Sequence, residues 1–187
     1  MTVGDLDRIA SALGATLQVN VRWQGEQLDR LLDAAHAALQ EQVASTLEGL
    51  GWLVRAEVSF NHFGDRGRVD ILAIHPRFRV LVIAEIKSGI GDLQETLGRL
   101  DIKVRLGKII AAEQGWNDVA VVVPALVIGD TRAGRRTITA HSTLFTRFGV
   151  RGRRALAWLR RPIQPVPTGL LWFTKRSNAH PMRNSGH

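Results

Sequence analysis

Residues 69–87 constrain this chain more than any other stretch. Two apolar, β-branched runs, Val69–Ile74 and Arg79–Lys87, flank a short turn that contains Pro76. Runs of that composition around a proline turn predict a β-hairpin. Strands so uniformly apolar are covered on both faces. Yet Asp70, Glu85 and Lys87 sit inside them. A charge in such a strand is costly unless it is paired or holds a metal. Alternation along a strand puts Asp70 on one face with Leu72 and Ile74. It puts Glu85 and Lys87 on a shared face, roughly 6–7 Å apart. If the two runs pair, Asp70 near the start of one lies beside Glu85 and Lys87 near the end of the other.

The flanking segments supply an element order. Helical spacing of Leu28, Leu32, Ala35, Leu39, Val43 and Leu50 predicts a helix over 26–50. Strict alternation through Val54, Ala56, Val58 and Phe60 predicts a strand over 52–63, closed by the loop 64–67. Gly89 and Gly91 break the hairpin, and Asp92 is placed to cap a helix running to about Gln114, with Leu93, Leu97, Leu100 and Val104 inward. Residues 119–128 read as another buried strand, in which Pro124 weakens the ladder or marks a bend. Earlier, 4–14 reads as a short helix and 16–23 as a half-buried strand. Later, 131–148 and 151–161 read as basic helices, 164–167 as a linker, 169–174 as a last strand, and 175–187 as a disordered tail. The domains expected are 1–24, 25–130, 131–174 and that tail.

Two carboxylates from different strands suit a hard cation such as Mg²⁺ (or Mn²⁺), which keeps several waters and takes further oxygens from phosphate. An ammonium beside them can orient a water and stabilise developing negative charge. Asp70, fourteen intervening residues and then Glu85-Ile86-Lys87, within the order helix, three strands, helix, strand, resemble the PD-(D/E)xK nuclease superfamily, the fold of many restriction enzymes and archaeal Holliday-junction resolvases. The likeness covers about 26–130, and Val69 stands where the name-giving proline would be. It implies an α/β protein with a restriction-endonuclease-like αβββαβ core, a mixed central sheet flanked by helices, with basic helices appended. It further implies that Asp70 and Glu85 bind the metal and that Lys87 assists the attacking water. The family usually adds an acid from the first helix. Glu41 is the nearest candidate, although the helical wheel turns it and Glu48 away from the apolar stripe and leaves His36 or Gln40 nearer to it. Glu57 is another option. Gln94 stands where some relatives place a substrate-contacting glutamine. Asn61 and Arg68 lie close enough in sequence to Asp70 to touch substrate.

The charge distribution points to a polyanionic partner. The chain carries a net +8, but 131–187 holds twelve basic residues, Arg135 and Arg136 among them, and no acidic one. Residues 1–130 then hold 13 basic and 17 acidic residues, a net of −4. A basic block on an acidic chain is the footprint of nucleic-acid binding, here DNA. Arginine outnumbers lysine 21 to 4, so codon bias is the competing source of that charge. Residues 5–15 resemble the closing helix of an XRE (Cro/C1-type) helix-turn-helix regulator. Without a groove-reading helix upstream, this remnant cannot read DNA in that manner. The absence of cysteine excludes disulfides and thiolate metal sites. No leader and no apolar run of membrane-spanning length are apparent, which predicts a cytoplasmic protein. Two functions fit: a metal-dependent nuclease hydrolysing phosphodiester bonds in DNA, with a homodimer as one way to cut both strands, or a non-catalytic DNA-binding regulator on a nuclease-like fold.

Overall fold

The structure, a computed structural model, describes residues 2–17, 26–89 and 91–175; the side chains of 26–29 are outside that description. The strand expected over 16–23 and the tail expected beyond residue 175 fall mostly outside the described residues. Contacts divide the chain into two units, Met1–Leu31 and Leu32–His187.

The first unit contains helix α1 (Val3–Ala12). Its start is a capping box. Thr2 Oγ1 accepts from the Asp5 N–H, and Asp5 Oδ2 accepts from the Thr2 N–H at 2.7 Å, so two orphan donors of the first turn are satisfied.

The second unit is built on a six-stranded sheet, ordered β1-β2-β3-β4-β6-β5. Strands β1 (Leu53–His62), β2 (Asp65–His75) and β3 (Val80–Lys87) form an antiparallel meander. Strands β4 (Val121–Gly129), β6 (Leu170–Thr174) and the two-residue β5 (Val150–Arg151) continue it in parallel. The sheet is therefore mixed and covered by helices on both faces, an α/β architecture consistent with the restriction-endonuclease-like core. On one face, helix α2 (Glu26–Glu48) contributes Leu39, Val43 and Leu47, and helix α5 (Arg153–Arg160) contributes Ala155 and Leu159. On the other lie helix α3 (Leu93–Glu113), helix α4 (Arg132–Ala140) and a 3₁₀ turn at Ser142–Phe145. Interior strand residues alternate between the two faces. Val80, Val82, Ala84 and Ile86 join the α2 side, while Leu81 and Ile83 join the α3 side.

Helix α3 starts where its cap predicts, with Asp92 Oδ1 accepting from the Glu95 N–H at 2.9 Å. It packs closely because residue 107 is glycine. A Cβ there would stand 2.7 Å from Ile83 Cδ1 and 3.1 Å from Val122 Cγ1.

The details of several elements differ from the sequence reading. The apolar stripe of α2 is buried only from Leu39 onward, and Leu32 is exposed. The segment 131–148 is a short helix and a 3₁₀ turn rather than one helix, the break falling at His141. The helix expected from 151 begins at Arg153 because Val150 and Arg151 pair with Leu170 and Leu171. Within 131–174, β5 and β6 complete the sheet. Pro124 stays inside β4, opposite Ile83, and the β4–β6 ladder begins one residue later at Ala125.

The β1–β2 hairpin reverses faces midway. Val54 packs on the α2 side, whereas Val58 and Phe60 pack on the α3 side. Likewise Ile71 belongs to the α2 side and Val69 to the α3 side. Between them, Glu57 takes a φ of 55°, a left-handed conformation that is strained for a side-chain-bearing residue. The outer hairpin therefore turns over α3. One ion pair fastens it there, Asp65–Arg105, and His62 Nε2 lies 3.1 Å from Glu113 Oε1. The tip, Phe63-Gly64, has φ values of 52° and 84°, as a two-residue type I′ turn requires.

Candidate active site

Antiparallel pairing of β2 with β3 runs from His75↔Val80 to Ile71↔Ala84 and then stops. One step further, Asp70 and Glu85 would be the next pair. There the two strands part, because β2 leaves to form the outer hairpin. The Asp70 side chain fills the missing rung: its Oδ2 accepts from the Ile86 N–H at 2.7 Å. From α2, the Gln40 side-chain amide lies 3.5 Å from the Asp70 carbonyl, a long hydrogen bond. The fork, rather than a loop, holds the charged residues.

Glu85 and Lys87 share a face, as alternation requires, and pair at 2.9 Å between Glu85 Oε1 and Lys87 Nζ. A fourth charge enters from α3. The Lys103 ammonium bonds Glu85 Oε2 and stands 3.7 Å from Asp70 Oδ1. Lys103 is almost fully buried, and Glu85 likewise, while Lys87 is one-third exposed. The four residues line a cleft of about 630 Å³. Its walls also carry Arg66 and Arg68 from the outer hairpin, Arg99 from α3 and His36 from α2. Phe60 forms part of the wall by lying over Gly67, where an added Cβ would meet its ring at 3.0 Å.

The electrostatics follow from this packing. Burial, and next the neighbouring Glu85 carboxylate, push the Asp70 carboxyl above the ordinary aspartate range, against the opposing pull of Lys103, the Ile86 N–H and His36. For Glu85, burial alone would raise the carboxyl, but the Lys103 and Lys87 ammoniums outweigh it and hold the group below its usual value. The two carboxylates are thus held unequally: Glu85 is firmly ionised, and Asp70 is the easier of the two to protonate.

Of the residues singled out in the sequence, the cleft gathers Asp70, Glu85, Lys87 and Arg68. It does not gather the others. Glu41 is exposed on α2 and is not among the cleft residues; Gln40, one position earlier, is the buried residue that reaches toward Asp70. Glu57 is exposed and pairs with Arg68 at 3.4 Å. Gln94 is exposed in the first turn of α3, and Asn61 lies near the hairpin tip opposite Arg66. Arg135 makes two bonds to Asp130, at 2.6 and 2.8 Å, and covers the Phe173 ring. Arg136 is exposed on α4. The basic segments do not form one surface, since α4 and α5 cover opposite faces of the sheet.

Lys103, Arg66 and Arg99 are charged cleft residues that the sequence reading did not single out, and His36 was read only as lying near the apolar stripe. The signal for Lys103 was present. It stands three residues after Leu100 and four before Gly107, on the stripe by which α3 meets the sheet.

Asp70 and Glu85 offer only carboxylate oxygens, the donor type a hard divalent cation takes. Among the described residues, no cluster of three or more His, Asp or Glu side chains is arranged to hold a metal. A cation bound at the fork would take its remaining ligands from water and substrate, and it would meet the ammonium of Lys103 already at the carboxylates.

No protein-family model matches the chain, and no curated protein matches it. One solved structure to which the chain is similar is a repair endonuclease from Pyrococcus abyssi, with 15% identity and a TM-score of 0.37, over 86% of this chain and 50% of that one. The chain spans half the length of that protein. No helix among the described residues is long and apolar enough to cross a membrane.

Proposed function

We propose that this chain is a divalent-cation-dependent nuclease that hydrolyses phosphodiester bonds in DNA. The observation that carries the reading is the convergence of Asp70, Glu85 and Lys87 at the strand fork, inside a cleft walled by arginines. Asp70 and Glu85 are the residues that would hold the cation, Mg²⁺ or Mn²⁺. Such an ion, when bound, neutralises charge on the phosphoryl group and lowers the pKa of its water.

The chain's own residues supply the rest. Lys87 is anchored by Glu85 yet open to the cleft, so its ammonium is positioned to orient water and stabilise negative charge as it develops on phosphate oxygens. Arg66, Arg68 and Arg99 line the approach and suit the phosphate backbone, whose binding they would make salt-dependent. Ile86 fixes the Asp70 carboxylate through its N–H, which holds one donor in place without a third side chain.

The test is cleavage of linear, branched and single-stranded DNA by purified protein with Mg²⁺ or Mn²⁺. Activity is expected with metal and is expected to be lost in Glu85→Ala and Lys87→Ala. Undiminished cutting by either variant overturns the assignment.

A second reading, DNA binding without catalysis, draws on one specific observation. The Lys103 ammonium already stands at both carboxylates, and among the described residues no acid from α2 joins them. It predicts salt-sensitive DNA binding, indifferent to metal and to replacement of Asp70 or Glu85. A requirement for metal in binding would exclude it.

A further inference from the structure

Lys103 is the least expected residue of the cleft. Its position on α3 is a core position, in register with Leu100, Gly107 and Ile110. A lysine there loses its hydration, which is costly unless opposite charge is close. The opposite charge is the Asp70–Glu85 pair, and the ammonium touches Glu85 while standing 3.7 Å from Asp70.

The choice of side chain is informative in a chain with 21 arginines and only four lysines. Two of those four, Lys87 and Lys103, lie in this cleft. An arginine would present a planar fork and hold a carboxylate bidentately. A lysine presents one compact charge on a flexible four-carbon stem. That is the shape of an ion that can stand between two carboxylates and leave again. Lys103 itself borders the open volume, so its stem has somewhere to go.

We propose that Lys103 is a tethered counter-cation that competes with divalent metal for the Asp70–Glu85 pair. The ammonium holds the carboxylates together when no metal is bound and swings into the cleft when one enters. The inference rests on the reading of Asp70 and Glu85 as cation ligands, but it does not need the protein to cut DNA. Lys103 acts through the carboxylates and is a positioning residue. It makes metal affinity of the resting protein low, so that phosphate oxygens brought by substrate would tip the exchange.

Two measurements on the full chain test this. The first is Mn²⁺ titration, with free Mn²⁺ counted by electron paramagnetic resonance. Lys103→Met keeps the length of the side chain and removes the charge, and is expected to bind Mn²⁺ at least tenfold more tightly than the wild type. Lys103→Arg is expected to bind no better than the wild type. Equal or weaker binding by Lys103→Met overturns the proposal, as does failure of both proteins to bind at millimolar Mn²⁺.

The second needs no variant and so survives a Lys103→Met chain that does not fold. Amine-reactive labelling of the wild type is read at each lysine by mass spectrometry. Addition of Mn²⁺ is expected to raise labelling at Lys103 severalfold and to leave Lys108 and Lys175 unchanged. No rise at Lys103 in the presence of bound Mn²⁺ overturns the proposal. The function stands apart from this outcome. Tight Mn²⁺ binding by Lys103→Met with no cleavage by either protein would remove the nuclease reading and leave Lys103 its role. Metal-dependent cleavage by the wild type with unchanged metal affinity in Lys103→Met would do the reverse.

Discussion

The two ends of the β2–β3 pair are made from the same two strands and do opposite things. At the turn end the ladder is complete to His75↔Val80, and an aromatic group closes it, with Trp52, His75 and Phe78 in edge contact at 5.3 and 4.7 Å. At the fork end the ladder stops at Ile71↔Ala84, and a carboxylate takes the place of a backbone carbonyl. At one end apolar burial provides the cohesion. At the other, cohesion depends on charged side chains. A sheet can host a cluster of charged side chains without a loop if one strand departs early and leaves its neighbour's N–H groups to side chains.

That contrast can be broken from either end. The largest effect is expected at the fork. Lys87→Ala should lower the cleavage rate about a thousandfold, roughly 4 kcal/mol of barrier, while thermal melting barely changes, because Lys87 is partly exposed. A matching fall in melting temperature would mean that the fork end is structural after all. In the shared core, Ile83→Ala should cost about 2–5 kcal/mol in urea unfolding, since Ile83 is fully buried against Gly107. Cleavage per folded molecule should survive it.

Asp70→Asn sharpens the contrast through pH. The Asp70 carboxyl is raised in the folded protein, so its contribution to stability is present in full at low pH and lost as pH rises through the raised value. The stability of metal-free wild type relative to Asp70→Asn should therefore decline from acid toward neutral pH. Thermal melts across that range check the sign, and a rising difference would contradict the burial argument. The smallest effect concerns the hairpin tip. Phe63 is 87% exposed and holds a φ of 52°. Phe63→Gly removes that strain at little loss of burial and should leave the melting temperature unchanged or raise it, by up to about 1 kcal/mol in stability.

Much of this is legible in the sequence. The hairpin, the shared face of Glu85 and Lys87, and the cap at Asp92 follow from alternation, spacing and one hydrogen bond, all of which are local. Asp70 beside Glu85 follows from register. The hidden parts depend on contacts across the sheet. Val58, Phe60 and Val69 keep their period-two spacing yet change faces, because one left-handed residue at Glu57 rotates the chain beneath an unbroken pattern. Lys103 gives no apolar signal yet lies on the α3 stripe, because a buried ion pair obeys the same geometry with the opposite chemistry. The helical wheel already turns Glu41 outward and sets Gln40 nearer the buried stripe, where the structure has it buried.

The ties between the outer hairpin and α3 bear on how any DNA titration is to be interpreted. Arg66 and Arg68 are carried by a wall whose outer half is fastened through the Asp65–Arg105 pair. Counter-ions screen surface pairs over about 8 Å at physiological ionic strength. Added salt would then act twice, once on the phosphates and once on the fastening of the wall itself. The slope of affinity against salt would exceed the number of phosphates touched, and the excess would vanish if that pair were replaced by uncharged residues that keep the hairpin seated.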